Sequence, residues 1–463
     1  MSEPHNSTPR VLFVVVLASF LAPFMMAALN VLLPDIGQQF ALSAVSLGWV
    51  VTSYIVSTAV FLLPVGRAAD IYGRKRAFFA GMVVYALGSL LSALAPSAAL
   101  LIVARVVQGG GAAMGFATGT AMLMSVSPPR ERGRALGWNV AAVYLGLSLG
   151  PPLGGLMAHG LGWRGIFAIN ALAGLVAAGL TPWAVKGEWA EARGERFDAA
   201  GSLLYALSLV ALMVGCGHLP HAAGAALLLA SVAGLVLFVR WEARCGSPIL
   251  NVSLFTGNAA FAFSNLAALI NYAATAAVGF LLSLYLECVK GLTPQQTGWI
   301  LMAQPVCMAV LSPLAGRLSD RMPARRLATA GMGLTALGLA AFCALGLDTP
   351  TSFVVTVLSV LGVGFALFSS PNTHAIMGSV EKKHYGIASG TLASMRVIGQ
   401  MLSMAVVMLI VALVLGHLPI KDAAPALVLR CLRLSFAVLA VFCALGVGAS
   451  ARDSQGLTSA VHL

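Results

Sequence analysis

Charge is what this sequence has least of: only 9% of its 463 residues are Asp, Glu, Lys or Arg, while 59% are hydrophobic. A soluble chain of that length needs a larger charged share to cover its surface, so a water-bathed globule is excluded. Acid is scarcer than base, 15 residues against 27, and no carboxylate lies deep within an apolar run. The cysteines at 216, 245, 288, 307, 343, 431 and 443 contain no C-x-x-C pair. They read as small apolar residues in helices, not as a disulfide framework or metal site. There is no His/Asp cluster within the apolar runs, no metal-ligand spacing and no nucleophile with an evident base, which argues against an enzyme and implies no cofactor. The short alternating strands of a membrane barrel are missing too.

What is present is a series of long apolar runs, such as Val11–Leu33, Ala77–Ala95 and Leu427–Ser450. About 20 such residues cross the roughly 30 Å hydrocarbon core as a helix, and lipid forces every backbone polar group to pair internally. The expected fold is therefore an all-α membrane bundle. Fourteen transmembrane helices are expected, near 11–33, 47–65, 77–95, 100–123, 136–158, 163–184, 199–217, 222–240, 258–285, 296–315, 327–346, 352–373, 388–416 and 430–450. Arg10 precedes the first run without a small-residue cleavage site, so that run reads as a retained span. With the N-terminus placed in the cytoplasm, 20 of the 27 basic residues fall in cytoplasmic segments, the bias that sets orientation. Both termini are then cytoplasmic. The +12 net charge is spread over short loops that anchor topology, so it does not point to nucleic acid. Trp49, Trp163 and Trp299 open spans at one face, and Trp138, Trp183 and Trp241 sit at span ends on the other, as interfacial anchors do.

The sequence repeats itself. Gly66-Arg67-x-x-Asp70, followed by Gly73, Arg74, Lys75 and Arg76, returns as Gly316-Arg317-x-x-Asp320-Arg321, each after the second span of its half. Two such halves suggest a duplicated transporter bundle with its site between them. Spans 7 and 8 belong to neither half. The expected organisation is a six-helix bundle over 1–184, an inserted hairpin with its linkers over 185–257, and a second six-helix bundle with a short tail over 258–463. Asp70 can pair with a neighbouring arginine and with a helix N-terminus. Gly66 and Gly73 permit close approach and tight turning. Gly146, Gly150 and Gly154 recur every four residues and make one face of span 5 small enough for close helix packing; beside them Pro151 and Pro152 remove backbone donors and bend the helix. Arg105 and Arg396 are the basic residues expected inside spans. An arginine there costs about 2.5–3.5 kcal/mol and needs a partner or a wet cavity. Asn30, Gln108, Asn139, Tyr144, Asn265, Asn271, Tyr272, Gln304 and Asn372 are candidate cavity residues, although each alone is also explained by a helix–helix hydrogen bond.

Taken together these motifs resemble the major facilitator superfamily, in its fourteen-span drug:proton antiporter branch. The resemblance covers nearly the whole chain. Gly66–Arg76 resembles the loop 2–3 signature, Arg105-Val106-Val107-Gln108-Gly109 the span 4 signature, and Gly146–Gly155 the span 5 antiporter signature. Asn30–Pro34, Trp163–Phe167, Phe197-Asp198-Ala199-Ala200-Gly201 and Ser370–Gln400 also match the branch. The resemblance implies a two-bundle fold with an inserted hairpin in a bacterial plasma membrane. It implies export of small amphipathic or organic molecules by alternating access and proton antiport, by a monomer. It assigns Gly66, Asp70, Gly73 and Arg74, with Asp320 and Arg321, to a cytoplasmic gate, Arg105 to coupling, and Gly146, Gly150, Pro151 and Gly154 to a tight antiporter seam. One position departs from the pattern. Proton-coupled members carry an aspartate five residues before the span 1 asparagine, and here that place holds Met25. Asp35 is then the best coupling candidate. Two other readings stand beside this one: an exporter of an anionic or neutral metabolite not coupled through a span 1 carboxylate, and a membrane sensor without transport.

Overall fold

The computed structural model describes residues 8–128, 132–219, 221–319, 321–380, 385–415 and 424–452. Among them the chain is helical and forms no β-strand. The helices are α1 (Thr8–Gln39), α2 (Ala44–Tyr72), α3 (Arg74–Ala93), α4 (Ala98–Val126), α5 (Arg132–Ala184), α6 (Ala199–Gly217) and α7 (Ala222–Glu242). They continue with α8 (Ser253–Gly257), α9 (Ala259–Thr275), α10 (Val278–Leu284), a π turn (Tyr285–Val289), α11 (Pro294–Leu301), α12 (Ala303–Ser319), α13 (Ala324–Phe342), α14 (Thr351–Gly378), α15 (Tyr385–Val414) and α16 (Pro425–Arg452). Short polar side chains start several of them: Ser43, Ser97 and Asn258 accept the backbone N–H three residues on, at 3.2, 3.3 and 3.0 Å. Each thereby satisfies one of the donors a helix leaves free at its start.

Thirteen helical segments among the described residues are long and apolar enough to cross a membrane. Helix α5 supplies two, Gly137–Ala158 and Gly160–Ala184, because Gly162 at φ 65° breaks its path. Helices α9 and α10 with the π turn act as one, Ala259–Val289, and α11 with α12 as another, Pro294–Ser319. Helix α13 occupies the eleventh expected span, but it opens on Arg325 and Arg326 and falls short of the others in apolarity. The repeated Gly-Arg-x-x-Asp segments, expected in loops, begin inside helices: α2 runs on to Tyr72 and α12 to Ser319. Arginine and alanine favour helix, so both elements continue past their apolar stretch. The first stops only at Gly73, whose φ of 121° suits glycine.

The chain forms two compact units, Met1–Leu250 with Thr293–Gly298, and Asn251–Leu292 with Trp299–Leu463. In the first, α1 lies along α5, α4 packs on α2 and α3, and α3 also meets α5. The α6–α7 hairpin lies in this unit and is tied to α2 by Tyr205, whose O–H donates to Ala59 O at 3.0 Å. In the second, α14 packs on α12 and α13, α13 on α16, and α9 on α15 and α16.

The α1–α5 contact shows what positions these helices. A Cβ on Gly146 would lie 2.6 Å from Phe20 O, one on Gly150 2.7 Å from Ala27 Cβ and from Phe24 O, and one on Gly154 3.0 Å from Ala28 Cα. Backbone therefore rests on backbone over two turns, the close approach by which helices associate in lipid. The carbonyl of Pro151, on the same helix, would stand 2.3 Å from a Cβ on Gly298. Gly150→Ala should cost about 1–3 kcal/mol through overpacking and lower the thermal unfolding midpoint of the detergent-purified protein. Gly179→Ala, at a site with open space around it, should leave that midpoint unchanged or raise it.

Candidate functional site

The first unit holds a positive charge in its interior. Arg105 on α4 is fully buried. Its Nε donates to Val50 O at 3.2 Å and its Nη1 to Gln108 Oε1. The guanidinium lies 4.3 Å from the Tyr54 ring centroid and 5.9 Å from that of Phe167, and its Nη2 is buried without a partner. The network continues: Gln108 Nε2 donates to Ser89 Oγ at 2.7 Å, and Asn170 Nδ2 to Tyr85 Oη at 2.9 Å and Ser89 Oγ at 3.1 Å. One polar chain thus joins α2, α3, α4 and the second arm of α5. Small residues make it possible: a Cβ on Gly109 would meet Tyr54 O at 2.4 Å.

Among the described residues no carboxylate forms an ion pair with Arg105. Aromatic faces and oriented dipoles offset part of its desolvation. What remains is a fixed cation whose Nη2 amino group is uncommitted. A narrow cleft lined by Ser19, Ala22, Met82, Tyr85, Gly115 and Phe116 reaches this network at Tyr85. On α1, Met25 is buried, while Asn30 and Asp35 are half-buried. Asn139 Oδ1 accepts the Ser19 hydroxyl at 2.6 Å, joining α5 to α1, and Tyr144 is buried nearby in sequence. Gln108 and Asn139, candidates for a cavity wall, spend these polar atoms on neighbouring side chains.

The second charged cluster gathers at the α2–α3 junction. Arg74 is buried. Its Nε donates to Asp70 Oδ1 at 2.8 Å, its Nη1 and Nη2 grip both oxygens of Glu191 at 2.9 and 3.0 Å, and Nη1 also reaches Ser125 Oγ at 3.3 Å. Glu188 accepts the N–H groups of Lys75 at 2.8 Å and Arg76 at 3.3 Å, capping α3, where the helix dipole favours an anion. A Cβ on Gly73 would lie 2.5 Å from Glu188 Cδ, so glycine there serves both the turn and the cap. Arg67 pairs with Glu195. Backbone bonds reinforce the contact, from Arg74 N to Trp189 O and from Ala192 N to Asp70 O, both 2.9 Å.

The connection between α5 and α6 is therefore strapped over this junction, which the reading of Asp70 and Arg74 alone did not reveal. Its signal was available: three glutamates, 188, 191 and 195, in a chain poor in acid. Gly66 has only ordinary contact, a Cβ there lying 3.7 Å from Ala117 Cβ. Of the second copy of the motif, Asp320 lies outside the described residues and Arg321 is exposed.

The second unit repeats part of the Arg105 arrangement. Arg396 on α15 is half-buried; its Nη2 donates to Thr373 Oγ1 at 2.8 Å, and its Nε is buried without a partner. The guanidinium stands 5.6 Å from the Tyr272 ring centroid, and Tyr272 meets Phe365 edge-on. As at Gly109, a glycine one turn on, Gly399, brings the backbones together: its Cβ would lie 2.5 Å from Leu269 O. Asn271 is fully buried with its side-chain oxygen and nitrogen both uncommitted. Asn372 Nδ2 donates to Ser264 O at 3.1 Å, and Asn265 Nδ2 to Phe261 O at 2.9 Å. Gln304 is half-buried on α12. Among the described residues no group of three or more His, Cys, Asp or Glu is placed to hold a metal ion.

If the strap is as tight as these bonds indicate, Glu188→Ala should remove a helix cap worth about 1 kcal/mol and Arg74→Ala should release Glu191. Both should speed limited proteolysis of residues 185–198 in the folded protein. Glu195→Gln, which weakens a single ion pair to Arg67 and neither a helix cap nor a forked contact, should change it less.

The family profile described as Major Facilitator Superfamily matches residues 15–267 and 264–452. Multidrug resistance protein Stp of Mycobacterium tuberculosis (strain CDC 1551 / Oshkosh) is 34% identical over 383 residues, covering 81% of this chain and 71% of that protein. Riboflavin transporter RibZ of Clostridioides difficile (strain 630) is 28% identical over 389 residues, covering 83% and 84%. The fold matches the crystal structure of the peptide transporter POT in complex with sulfate, with a TM-score of 0.71 at 14% identity over 96% of this chain and 94% of that one. With its apolar helices, its repeated signature and a profile match along almost its full length, the chain belongs to the Major Facilitator Superfamily and is a multi-pass membrane transporter.

Proposed function

We propose that this transporter exports small amphipathic organic molecules by alternating access, in exchange for protons. The observation that supports it most is Arg105, a buried cation with no carboxylate partner among the described residues and its Nη2 amino group uncommitted. Such a charge favours the ionised form of an acid brought near it and disfavours a second cation, which is what alternate binding of a proton and a substrate requires. The likeness to Stp, a multidrug resistance protein, supports the substrate class. With Met25 buried where an acid is expected, Asp35, half-buried toward the end of α1, is the coupling group. The Asp70–Arg74–Glu191 cluster serves as a cytoplasmic gate. Helix α13, eleventh in chain order, completes a set of fourteen spans, and both termini lie in the cytoplasm of a bacterial cell, on the side where 20 of the 27 basic residues fall. The protein acts as a monomer.

A second reading has specific support. Arg105 and Arg396 each keep a buried N–H uncommitted, which suits an anionic or neutral polar substrate, and the relative RibZ is a riboflavin transporter. Proteoliposomes loaded with either a lipophilic cationic dye or riboflavin separate the two. The proposal expects dye movement that accelerates under an imposed pH gradient and is lost in Asp35→Asn. Riboflavin movement indifferent to the gradient would replace it with the second reading. Arg105→Lys keeps the charge but loses the planar fork. Loss of a buried charged hydrogen bond, about 1.5–3 kcal/mol, should lower the thermal midpoint of the purified protein and slow transport roughly 10- to 100-fold in the same vesicles.

A further inference from the structure

The α6–α7 hairpin carries a pair of carboxyl groups that the transport reading leaves unused. Asp198 caps α6: its Oδ1 accepts Gly201 N–H at 2.9 Å and its Oδ2 accepts Trp241 Nε1–H at 2.9 Å. Glu242 ends α7, beyond the apolar stretch that closes at Val239, and is only 2% exposed. Its Oε2 accepts Leu250 N–H at 2.8 Å, whereas its Oε1 is buried and receives no hydrogen bond. The two carboxyls converge above Gly201. A Cβ there would lie 2.3 Å from Asp198 Oδ2 and 2.6 Å from Glu242 Oε1. The glycine of the Phe197–Gly201 segment thus makes room for two acids.

The groups facing Glu242 do not neutralise it. Asp198 faces it from α6, and the Cys245 thiol, in the turn after α7, is directed at Asp198. Arg240 and Arg244, the cations of the same stretch, are exposed, and Glu195 in the preceding linker is turned to Arg67 and Ser247. Burial works to raise the Asp198 carboxyl, but the Gly201 amide and the Trp241 indole outweigh it and hold Asp198 below the usual aspartate range. Asp198 is therefore the ionised member. Glu242 is shielded from water beside the half-buried Asp198 carboxylate, where like charge and burial both oppose a second ionisation, and a buried oxygen without a donor is costly.

We propose that Glu242 is a protonation site: a carboxylic acid whose hydroxyl donates from Oε1 to Asp198, so that one proton clasps the start of α6 to the end of α7. Loss of that proton sets two negative charges over Gly201 and loosens the root of the hairpin. The root is continuous with the strap on Arg74, so the clasp makes the hairpin sensitive to pH. The folded state then holds a proton that the unfolded chain releases at ordinary glutamate pH, so stability is greatest on the acid side and falls as pH rises through the titration of the pair.

Infrared spectroscopy of the full chain in nanodiscs tests it, together with thermal midpoints between about pH 5 and pH 9. A protonated-carboxyl carbonyl band is expected at neutral pH in the parent and its loss in Glu242→Gln, with the parent's fall in midpoint at rising pH flattened in that variant. Asp198→Asn removes the like charge and should move the loss of the band to lower pH by about one unit or more; this arm decides the matter if Glu242→Gln does not fold. A band unchanged by Glu242→Gln, or a titration unmoved by Asp198→Asn, would overturn the proposal.

Discussion

Hydrocarbon has no water to pair with an exposed N–H or C=O, and each helix here closes its own backbone bonds before anything else is decided. Helices so completed are apolar cylinders in an apolar solvent, and burial of apolar surface no longer drives them together. What remains is fit. That is why the contact between α1 and α5 is made of glycines at 146, 150 and 154 with no room for a Cβ, and why glycines recur beside the arginine of each unit. Dispersion between closely laid backbones does in this protein what a greasy core does in a soluble one.

Against that background each charge has a reason tied to its surroundings. Arg105 and Arg74 are both buried, yet they do different things. Arg74 is saturated by Asp70 and Glu191 in a forked contact, so its charge is spent on holding a strap across the α2–α3 junction. Arg105 has ring faces, a carbonyl and an amide, but among the described residues no anion. Its charge is left to act on whatever approaches, and the polar chain through Gln108, Ser89 and Asn170 ties its position to four helical segments. A side chain that cannot lose its proton contributes a constant field, and that is of use to a transporter whose other groups change.

The connection from α5 to α6 and the hairpin beyond it bind these themes. Glu188, Glu191 and Glu195 place acid on the arginines of the repeated signature, and a few residues later Asp198 and Glu242 meet over Gly201. A chain with so little acid thus sets five of its 15 acidic residues along one connection and the hairpin root it feeds. The hairpin is then part of the first unit's charge arrangement, not an appendage to it.

From the sequence alone followed the all-helical fold, the approximate spans and the family. All of these depend on local composition: run length, basic residues between runs, and glycines at helical spacing. Helix ends were harder, because α2 and α12 carry good helix formers past their apolar stretches, and α13 trades apolarity for two arginines. Partners were out of reach. Nothing local to Gln108 says that it bonds Arg105 and Ser89 instead of facing a cavity, that Glu191 would grip Arg74 from 117 positions away, or that Glu242 would end beside Asp198. Such pairings depend on which helices lie side by side and at what rotation, and only the tertiary structure, through the close packing of small residues, decides that.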